Sequence, residues 1–175
     1  MNPQIVRKFD HLASLVVLAI SALSCSSPTE EARIKDFLAE TTRLAEKKDL
    51  TAVMLRIAED FRDFEGRDKT ATAAVIEDYF GRYRGIVIHL LSVKVDAVDP
   101  EGVASVRAEV MVSSGAAEAL RKLIRYIGDY YRFSFRLKPA GSKKWLFAYA
   151  AWESIPLSEL FPESLAILKK LFPGL

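Results

Sequence analysis

Few side chains in this sequence are of the types that transfer protons or bind metals near neutral pH. The chain of 175 residues has one cysteine and two histidines, and His11 and His89 are too far apart to form a short metal-binding motif. We therefore expect neither a metal nor another cofactor. His89 could act as an acid or a base, but the apolar residues beside it, Ile88 and Leu90, favour a structural histidine in a strand.

Other common catalytic and nucleotide-binding patterns are missing from the sequence. Ser113 and Ser114 precede Gly115, but no Gly-x-Ser-x-Gly motif surrounds them, and there is no glycine-rich phosphate loop. Basic and aromatic residues are interleaved between Arg121 and Lys138, as they are on some RNA-binding surfaces. The same alternation is typical of the exposed face of a strand, and a formal net charge of +2 attracts polyanions only weakly. We expect no nucleic-acid partner.

The chain is organised around a β-hairpin that we predict over residues 129–153. Residues 130–138 alternate apolar and polar side chains with the period of a strand buried on one face. Residues 144–153 are almost wholly apolar, and Pro139 and Gly141 supply turn residues between the two arms. Most aromatic side chains of this hairpin should belong to the core. The residues expected to face outward or toward the rim are Arg132, Arg136, Lys138 and Trp152.

The residues before this hairpin predict three helices and a second hairpin. Apolar residues at helical spacing predict helices over residues 27–48, 49–66 and 68–85. Residues 91–97 and 104–112 alternate with period two on either side of an Asp-Pro-Glu-Gly turn. That pattern predicts two antiparallel strands with one solvated face.

These elements predict an α+β fold in which three N-terminal helices pack in a curved, four-stranded antiparallel sheet. Residues 154–175 are predicted to add an amphipathic C-terminal helix, whose apolar stripe includes Leu165, Leu168 and Leu171. We expect this tail to dock on the sheet. A membrane surface and a partner protein are the alternative binding sites for it.

Residues 1–24 are predicted to be an export signal rather than part of the fold. Arg7 and Lys8 precede an apolar run at residues 12–23 that is too short to cross a bilayer comfortably. The run ends in Ala22-Leu23-Ser24-Cys25, which resembles the lipobox of bacterial lipoproteins. The resemblance implies lipidation of Cys25, a lipid-anchored location in the cell envelope, and the outer membrane if the organism is Gram-negative. An ordinary secretory signal and an uncleaved anchor are the alternatives.

Three stretches of residues 25–153, the predicted folded domain, are similar to one superfamily. They are the acidic-aromatic junction at residues 57–61, the valine-rich strand at residues 103–112, and the tryptophan-containing strand at residues 144–153. Together they resemble the nuclear transport factor 2-like superfamily, which includes ketosteroid-isomerase and SnoaL-like proteins. The resemblance implies a cone-shaped fold that opens onto an apolar pocket between helices and sheet.

The resemblance also points to candidate site residues. An isomerase or dehydratase of this shape needs a general base inside the cone and a donor for the developing oxyanion. The resemblance matches Asp60 to the position of the base, and His89 and Tyr79 are the other catalytic candidates. The charged residues next to Asp60 in the sequence favour an exposed surface carboxylate at that position instead. The residues expected to line the pocket or its rim are Tyr83, Tyr131, Tyr149 and Trp152.

Fold alone leaves the function of such a domain open. We expect a membrane-anchored module without enzymatic activity that binds a small apolar ligand, an envelope protein, or a second copy of itself through the sheet. One alternative is an isomerase or dehydratase with Asp60 as its base. Another is an envelope assembly factor that docks a partner through the C-terminal helix.

Overall fold

The computed structural model describes residues 28–114, 129–141 and 144–160. Within these residues the chain forms four helices and five strands. The helices are α1 (Glu30–Glu46), α2 (Leu50–Met54), α3 (Lys69–Arg82) and α4 (Leu157–Leu160). The strands are β1 (Ile57–Asp63), β2 (Ile86–Val98), β3 (Ala104–Ser114), β4 (Asp129–Ala140) and β5 (Lys144–Ser154). This is an α+β fold, as the sequence predicts.

The first three helices each begin at a side chain whose oxygen caps the first turn. Thr29 caps α1, Asp49 caps α2 and Asp68 caps α3, and each accepts a hydrogen bond from the backbone N–H three residues further on. Such caps satisfy N–H groups that have no partner inside the helix. The predicted starts at Asp49 and Asp68 are confirmed.

Two side chains at the end of α1 fix the neighbouring elements. Lys48 Nζ donates to the carbonyl oxygens of Phe80, at 2.8 Å, and of Tyr83. A cation at the C-terminal end of a helix, here α3, is electrostatically favourable. A carboxylate oxygen of Glu46 accepts the backbone N–H of Ile88 at 2.9 Å. These contacts hold the end of α3 and the start of β2 close to α1.

The second predicted helix ends at Met54, and the prediction that it continues beyond that residue is wrong. The chain instead enters β1, which pairs in parallel with β5 and places Ile57 opposite Phe147. Apolar residues four positions apart, such as Ile57 and Phe61, fit one face of a helix and also one face of a strand. In the strand form, the backbone also satisfies polar groups along an edge of β5.

The sheet has the strand order β1-β5-β4-β3-β2. Both predicted hairpins, β2–β3 and β4–β5, are confirmed, and β3 also pairs antiparallel with β4. The parallel strand β1 makes the sheet five-stranded and mixed, so the prediction of four antiparallel strands is corrected. Gly141 turns the β4–β5 hairpin with φ at 71°, a conformation that glycine adopts without strain.

The two faces of the sheet bury different residues. On the side that we call the helix face, Phe135 and Leu137 of β4 pack with Ile34 and Leu38 of α1. Other buried residues of this core are Ile57, Phe61, Ala104, Val106, Trp145, Phe147 and Ala150. Side chains alternate along a strand, so the residues between them on β4 lie on the opposite side, the outer face.

A smaller apolar cluster covers part of the outer face. It consists of Val87, Met111, Tyr130 and Ile155, with Leu91 and Leu160 packed against it. The beginning of the predicted C-terminal tail, at Ile155 and Leu160, therefore packs on the sheet. Residues 161–175, which hold the rest of the predicted amphipathic helix, lie outside the described residues.

Two leucines test where the core lies. Leu137 is 0% exposed, whereas Leu55 is 73% exposed. Leu137→Ala should lower the free energy of unfolding by about 2–5 kcal/mol, because it removes apolar contacts and leaves a cavity. The matched variant Leu55→Ala should change it by less than about 0.5 kcal/mol. Urea unfolding measures both, and equal effects would contradict this description of the core.

Candidate ligand site at the aromatic end of the sheet

A row of aromatic side chains follows β4 along the helix face. The ring centroids of Tyr131 and Phe133 are 6.2 Å apart, those of Phe133 and Phe135 are 5.4 Å apart, and those of Phe135 and Phe147 are 5.0 Å apart. Only Phe147 in this row is buried, and the other three rings are half-buried. The row therefore runs from the hydrophobic core to a partly open end of the sheet.

Trp152 widens this aromatic surface on the neighbouring strand. It lies directly opposite Phe133 in the β4–β5 register, with ring centroids 6.1 Å apart. Phe64, which follows β1, packs edge-on against Trp152 at 4.7 Å, and the guanidinium carbon of Arg67 lies 5.2 Å from the Trp152 ring centroid. The last contact is a cation–π arrangement, which is favourable for a tryptophan ring.

Helix α3 contributes two tyrosines to the same end of the molecule. The rings of Tyr79 and Tyr83 are 4.5 Å apart. Both lie near Tyr131, since Tyr131 contributes to the raised pKa of Tyr79 and Tyr83 contributes to the raised pKa of Tyr131. No residue of α3 is buried, and Tyr79 itself is only half-buried. We call Tyr79, Tyr83, Tyr131, Phe133 and Trp152 the aromatic mouth.

Two tyrosines of the aromatic mouth, Tyr79 and Tyr131, are neutral donors at physiological pH. Burial raises the pKa of Tyr79 above its ordinary value, and the nearby Tyr83, Tyr131 and Asp129 raise it further. Burial likewise raises the pKa of Tyr131, with Asp129 and Tyr83 adding to the effect. A neutral phenol can donate a hydrogen bond to a carbonyl or carboxylate oxygen. It would be a poor base at neutral pH.

A buried carboxylate holds the arginine that lies beside the mouth. Asp63 is 4% exposed and accepts hydrogen bonds from Arg67 Nε at 2.6 Å and from the backbone N–H groups of Arg67 and Glu65 at 2.9 Å. Arg67 Nη1 also pairs with Glu65 at 2.8 Å. Burial raises the pKa of Asp63, but these hydrogen bonds outweigh burial and leave that pKa below its ordinary value.

Two buried donors near this end have no hydrogen-bond partner among the described residues. They are Nη2 of Arg67 and the hydroxyl of Thr72 at the start of α3. Buried polar groups are nearly always hydrogen-bonded in folded proteins.

The structure brings together four of the residues that the sequence singles out. Tyr79, Tyr83, Tyr131 and Trp152 all belong to the aromatic mouth. Tyr149 does not, because it lies directly opposite Arg136 and hence on the outer face. The four residues of the mouth lie close together because of the β4–β5 register and the position of α3.

Asp60 occupies a different place from the helix end that the resemblance suggests. It lies on the edge strand β1, its side chain is 70% exposed, and it pairs with Lys138. The hydrogen bond from Lys138 lowers the pKa of Asp60. An enclosed apolar environment would raise the pKa of a carboxylate and make it a better base, so the surroundings of Asp60 have the opposite effect.

His89 also lies away from the aromatic mouth. It pairs with Met111 in the β2–β3 register, so its side chain is on the outer face with the smaller apolar cluster. It is a half-buried strand residue, as the sequence predicts. Its Nε2 atom is buried and has no partner among the described residues, although the sequence led us to expect a satisfied hydrogen bond.

Sequence reasoning missed Phe64, Arg67 and Thr72. The two charged residues Asp63 and Arg67 are four positions apart, a spacing that looks like a solvated helical ion pair. In the folded chain they close the turn after β1 instead. The segment Phe64-Glu65-Gly66 lies between them, and its glycine is the signal that a turn interrupts the helical pattern.

The described part of the chain contains neither a cluster of metal ligands nor a helix that could span a membrane. Residues 28–114, 129–141 and 144–160 contain no cluster of three or more His, Cys, Asp or Glu side chains that could hold a metal ion. None of the helices in these ranges is long and apolar enough to cross a membrane.

No protein-family model and no curated protein matches this chain, but solved structures do. An NTF-2 like protein of unknown function from Pseudomonas aeruginosa is 16% identical with a TM-score of 0.58, and the alignment covers 71% of this chain and 99% of that one. A candidate scytalone dehydratase from Novosphingobium aromaticivorans is 15% identical with a TM-score of 0.57, and the covered shares are 71% and 83%.

A third similar structure is Bd1075 from Bdellovibrio bacteriovorus, at 13% identity and a TM-score of 0.57. The alignment covers 71% of this chain, which spans only 40% of the length of Bd1075. At such identities the likeness shows the fold alone. That fold is the nuclear transport factor 2-like fold which the sequence resembles, and it does not assign an activity.

The Asp63 carboxylate should stabilise the fold in a pH-dependent way. Its pKa is lower in the folded state than in the unfolded chain, so its contribution is complete above about pH 3.9 and is lost as the pH falls through the lower, folded-state pKa. Asp63→Asn should therefore lower the free energy of unfolding at pH 7 by about 1–3 kcal/mol.

Urea unfolding of both proteins at several pH values measures this contribution. The difference between the wild type and Asp63→Asn should shrink as the pH falls from about 3.9 through the folded-state pKa. Asp78→Asn is the matched control, because Asp78 also pairs with an arginine four residues on but is exposed. It should have little effect. A difference for Asp63→Asn that stays constant with pH would contradict this assignment.

Proposed function

We propose that this protein binds a small, flat, largely apolar ligand in the aromatic mouth and does not transform it. The observation that carries the proposal is the half-buried aromatic surface of Phe133 and Trp152 beside the Arg67 side chain, which is 24% exposed. Ligand sites are typically apolar and aromatic, with a few polar groups that fix orientation.

The chemistry of the mouth specifies what the ligand should carry. The faces of Phe133 and Trp152 suit an aromatic ring or a flat alicyclic system. Neutral phenols at Tyr79 and Tyr131, together with the Arg67 guanidinium, are all hydrogen-bond donors. The ligand should therefore present a carbonyl, carboxylate or similar acceptor at one end.

The same groups favour binding over the isomerase or dehydratase alternative. That alternative needs a base inside the cone, and Asp60 is exposed and paired with Lys138. Asp63 is the buried carboxylate on the described part of β1, but Arg67 and two backbone N–H groups already occupy it and lower its pKa. One similar structure is described as a candidate scytalone dehydratase, so enzymes are among the relatives in fold that this proposal must be tested against.

Binding can be tested with 1-anilinonaphthalene-8-sulfonate, a flat aromatic probe with one anionic group. The folded protein should bind it saturably at one site, with a rise in probe fluorescence. Trp152→Leu removes the ring that faces both Phe133 and Arg67, and should weaken binding about tenfold. The matched control is Leu146→Ala, which removes a half-buried apolar side chain from the other face of the same strand.

Near-ultraviolet circular dichroism on both variants shows whether the fold is retained. Equal affinity for the probe in the wild type and folded Trp152→Leu would contradict the proposal, as would equal losses in Trp152→Leu and Leu146→Ala. Turnover of a ketosteroid or a hydroxylated aromatic substrate by the wild type, lost in Asp60→Asn, would favour the enzymatic alternative instead.

The cellular setting that we propose is a lipid anchor at the cell envelope. It is supported by the lipobox-like sequence that ends at Cys25. Residues 1–27, which include Cys25, lie outside the described residues. In this setting the domain would hold its ligand, an envelope protein or a second copy of itself at the membrane surface, and an assembly factor that binds through its C-terminal tail is the alternative.

The anchor predicts a specific dependence on one residue. Cys25→Ala should abolish incorporation of labelled palmitate and move the protein from the membrane fraction to the soluble fraction, because a lipidated cysteine supplies the membrane affinity. Ser27→Ala, which leaves the cysteine in place, is the control and should behave as the wild type. Unchanged fractionation of Cys25→Ala would rule out the lipid anchor.

A further inference from the structure

The outer face of the sheet carries a shallow groove with a volume of about 240 Å³. The polar residues that line it are Asp96, Ser105, Arg107, Ser134, Arg136 and Tyr149. They lie on the face opposite the aromatic mouth. The groove is therefore independent of the ligand site proposed above.

The strand register places these side chains side by side. Arg136 of β4 lies directly opposite Ser105 of β3 on one side and Tyr149 of β5 on the other. Ser134 lies directly opposite Arg107. Residues in such cross-strand pairs have Cβ atoms about 4.5–5.5 Å apart, so the hydroxyls and the guanidinium of Arg136 converge on one small area.

The charge around the groove is unbalanced. Arg107 donates to both carboxylate oxygens of Asp96, at 2.7 and 2.8 Å, and Lys94 lies 3.6 Å from the same carboxylate. Arg136 is exposed and forms no hydrogen bond or ion pair with the described residues. Arg107 and Lys94 thus share one carboxylate, and Arg136 adds a positive charge that no carboxylate of the described residues balances.

Arg136 differs in this respect from the other outward-facing cations of β4. Arg132 contacts three carboxylates, those of Glu109, Glu153 and Glu159. Lys138 is paired with Asp60. Within the described part of β4, Arg136 alone among these cations is left to bind an anion from outside.

The hydroxyl groups beside Arg136 complete the donor set. Ser105 and Ser134 have short side chains, which let a ligand approach the sheet closely between the longer arginines. Their hydroxyls, and that of Tyr149, form no hydrogen bonds with the described residues. An arginine fork with neighbouring hydroxyls is a chemistry that suits the several oxygens of a phosphate group.

We propose that the outer groove binds the phosphate group of a small soluble molecule, with Arg136 as its principal contact and the hydroxyls of Ser105, Ser134 and Tyr149 as further donors. The phosphate neutralises the excess positive charge. Phospholipid head groups carry related chemistry, but the groove is small and its donors converge on one group, which favours a single phosphate over a flat membrane surface.

Titration with inorganic phosphate at low ionic strength tests the proposal. Backbone amide signals of Ser105, Ser134 and Arg136 in two-dimensional NMR spectra should shift saturably. Arg136→Met should weaken binding at least about tenfold, because it removes a charge-assisted fork. Arg136→Lys should recover only part of the loss, since lysine keeps the charge but not the fork. Arg84→Met, which removes another exposed arginine that has no ion pair with the described residues, should bind as the wild type.

Several outcomes would overturn this inference. One is the absence of saturable shifts at millimolar phosphate. Another is an equal loss in Arg136→Met and Arg84→Met, which would indicate unspecific charge attraction. Binding to phosphatidylglycerol vesicles without binding to free phosphate would indicate a membrane contact. Shifts of the same amides with protein concentration alone would indicate that a second copy covers this face.

Discussion

The pairing of β5 on both of its edges is the constraint on which the rest of the structure depends. β4 binds it on one side as a hairpin, and β1 binds it in parallel on the other. The N–H of Phe147 donates to the carbonyl of Arg56 and that of Phe64 to the carbonyl of Ala150, at 2.9 and 3.0 Å. Without β1, the turn that carries Arg67 would have nothing to hold it against Trp152.

The hairpins and the helix caps could be predicted from the sequence because their signals are local. Alternation with period two identifies β2, β3 and β4, an apolar run identifies β5, and Asp49 and Asp68 mark helix starts that are confirmed. β1 could not be predicted in this way. Its apolar residues also fit a helix, and the strand that decides between the two forms is about ninety residues further along the chain. Parallel pairing between distant segments leaves no short-range pattern.

The residues of the candidate site also differ in whether a local sequence pattern predicts their positions. The aromatic residues of β4 could be assigned to one face because alternation fixes it, and Tyr131 follows from that. On β5, which is apolar almost throughout, the expected position is right for Trp152 and wrong for Tyr149. Arg67 could not be assigned to the site from the sequence. Its ion-pair partner Asp63 lies four residues earlier, which is also the spacing of an ion pair on an exposed helix. The same limit applies to the outer face. Arg132 and Arg136 look equivalent in sequence, and only the fold shows that the first contacts three carboxylates and the second none among the described residues.

Because successive side chains of β4 point to opposite faces, one strand supplies both the aromatic mouth and the outer groove. A slip of one residue in its register would exchange the two sets and place Arg132 and Arg136 in the core. The bulge between Arg136 and Leu137 and the turn at Gly141 oppose such a slip, since each fits one register. The aromatic surface and the cationic surface therefore depend on each other. Both surfaces result from the single register of β4. A substitution can change one surface without the other only if it shortens a side chain and leaves the backbone of β4 in place.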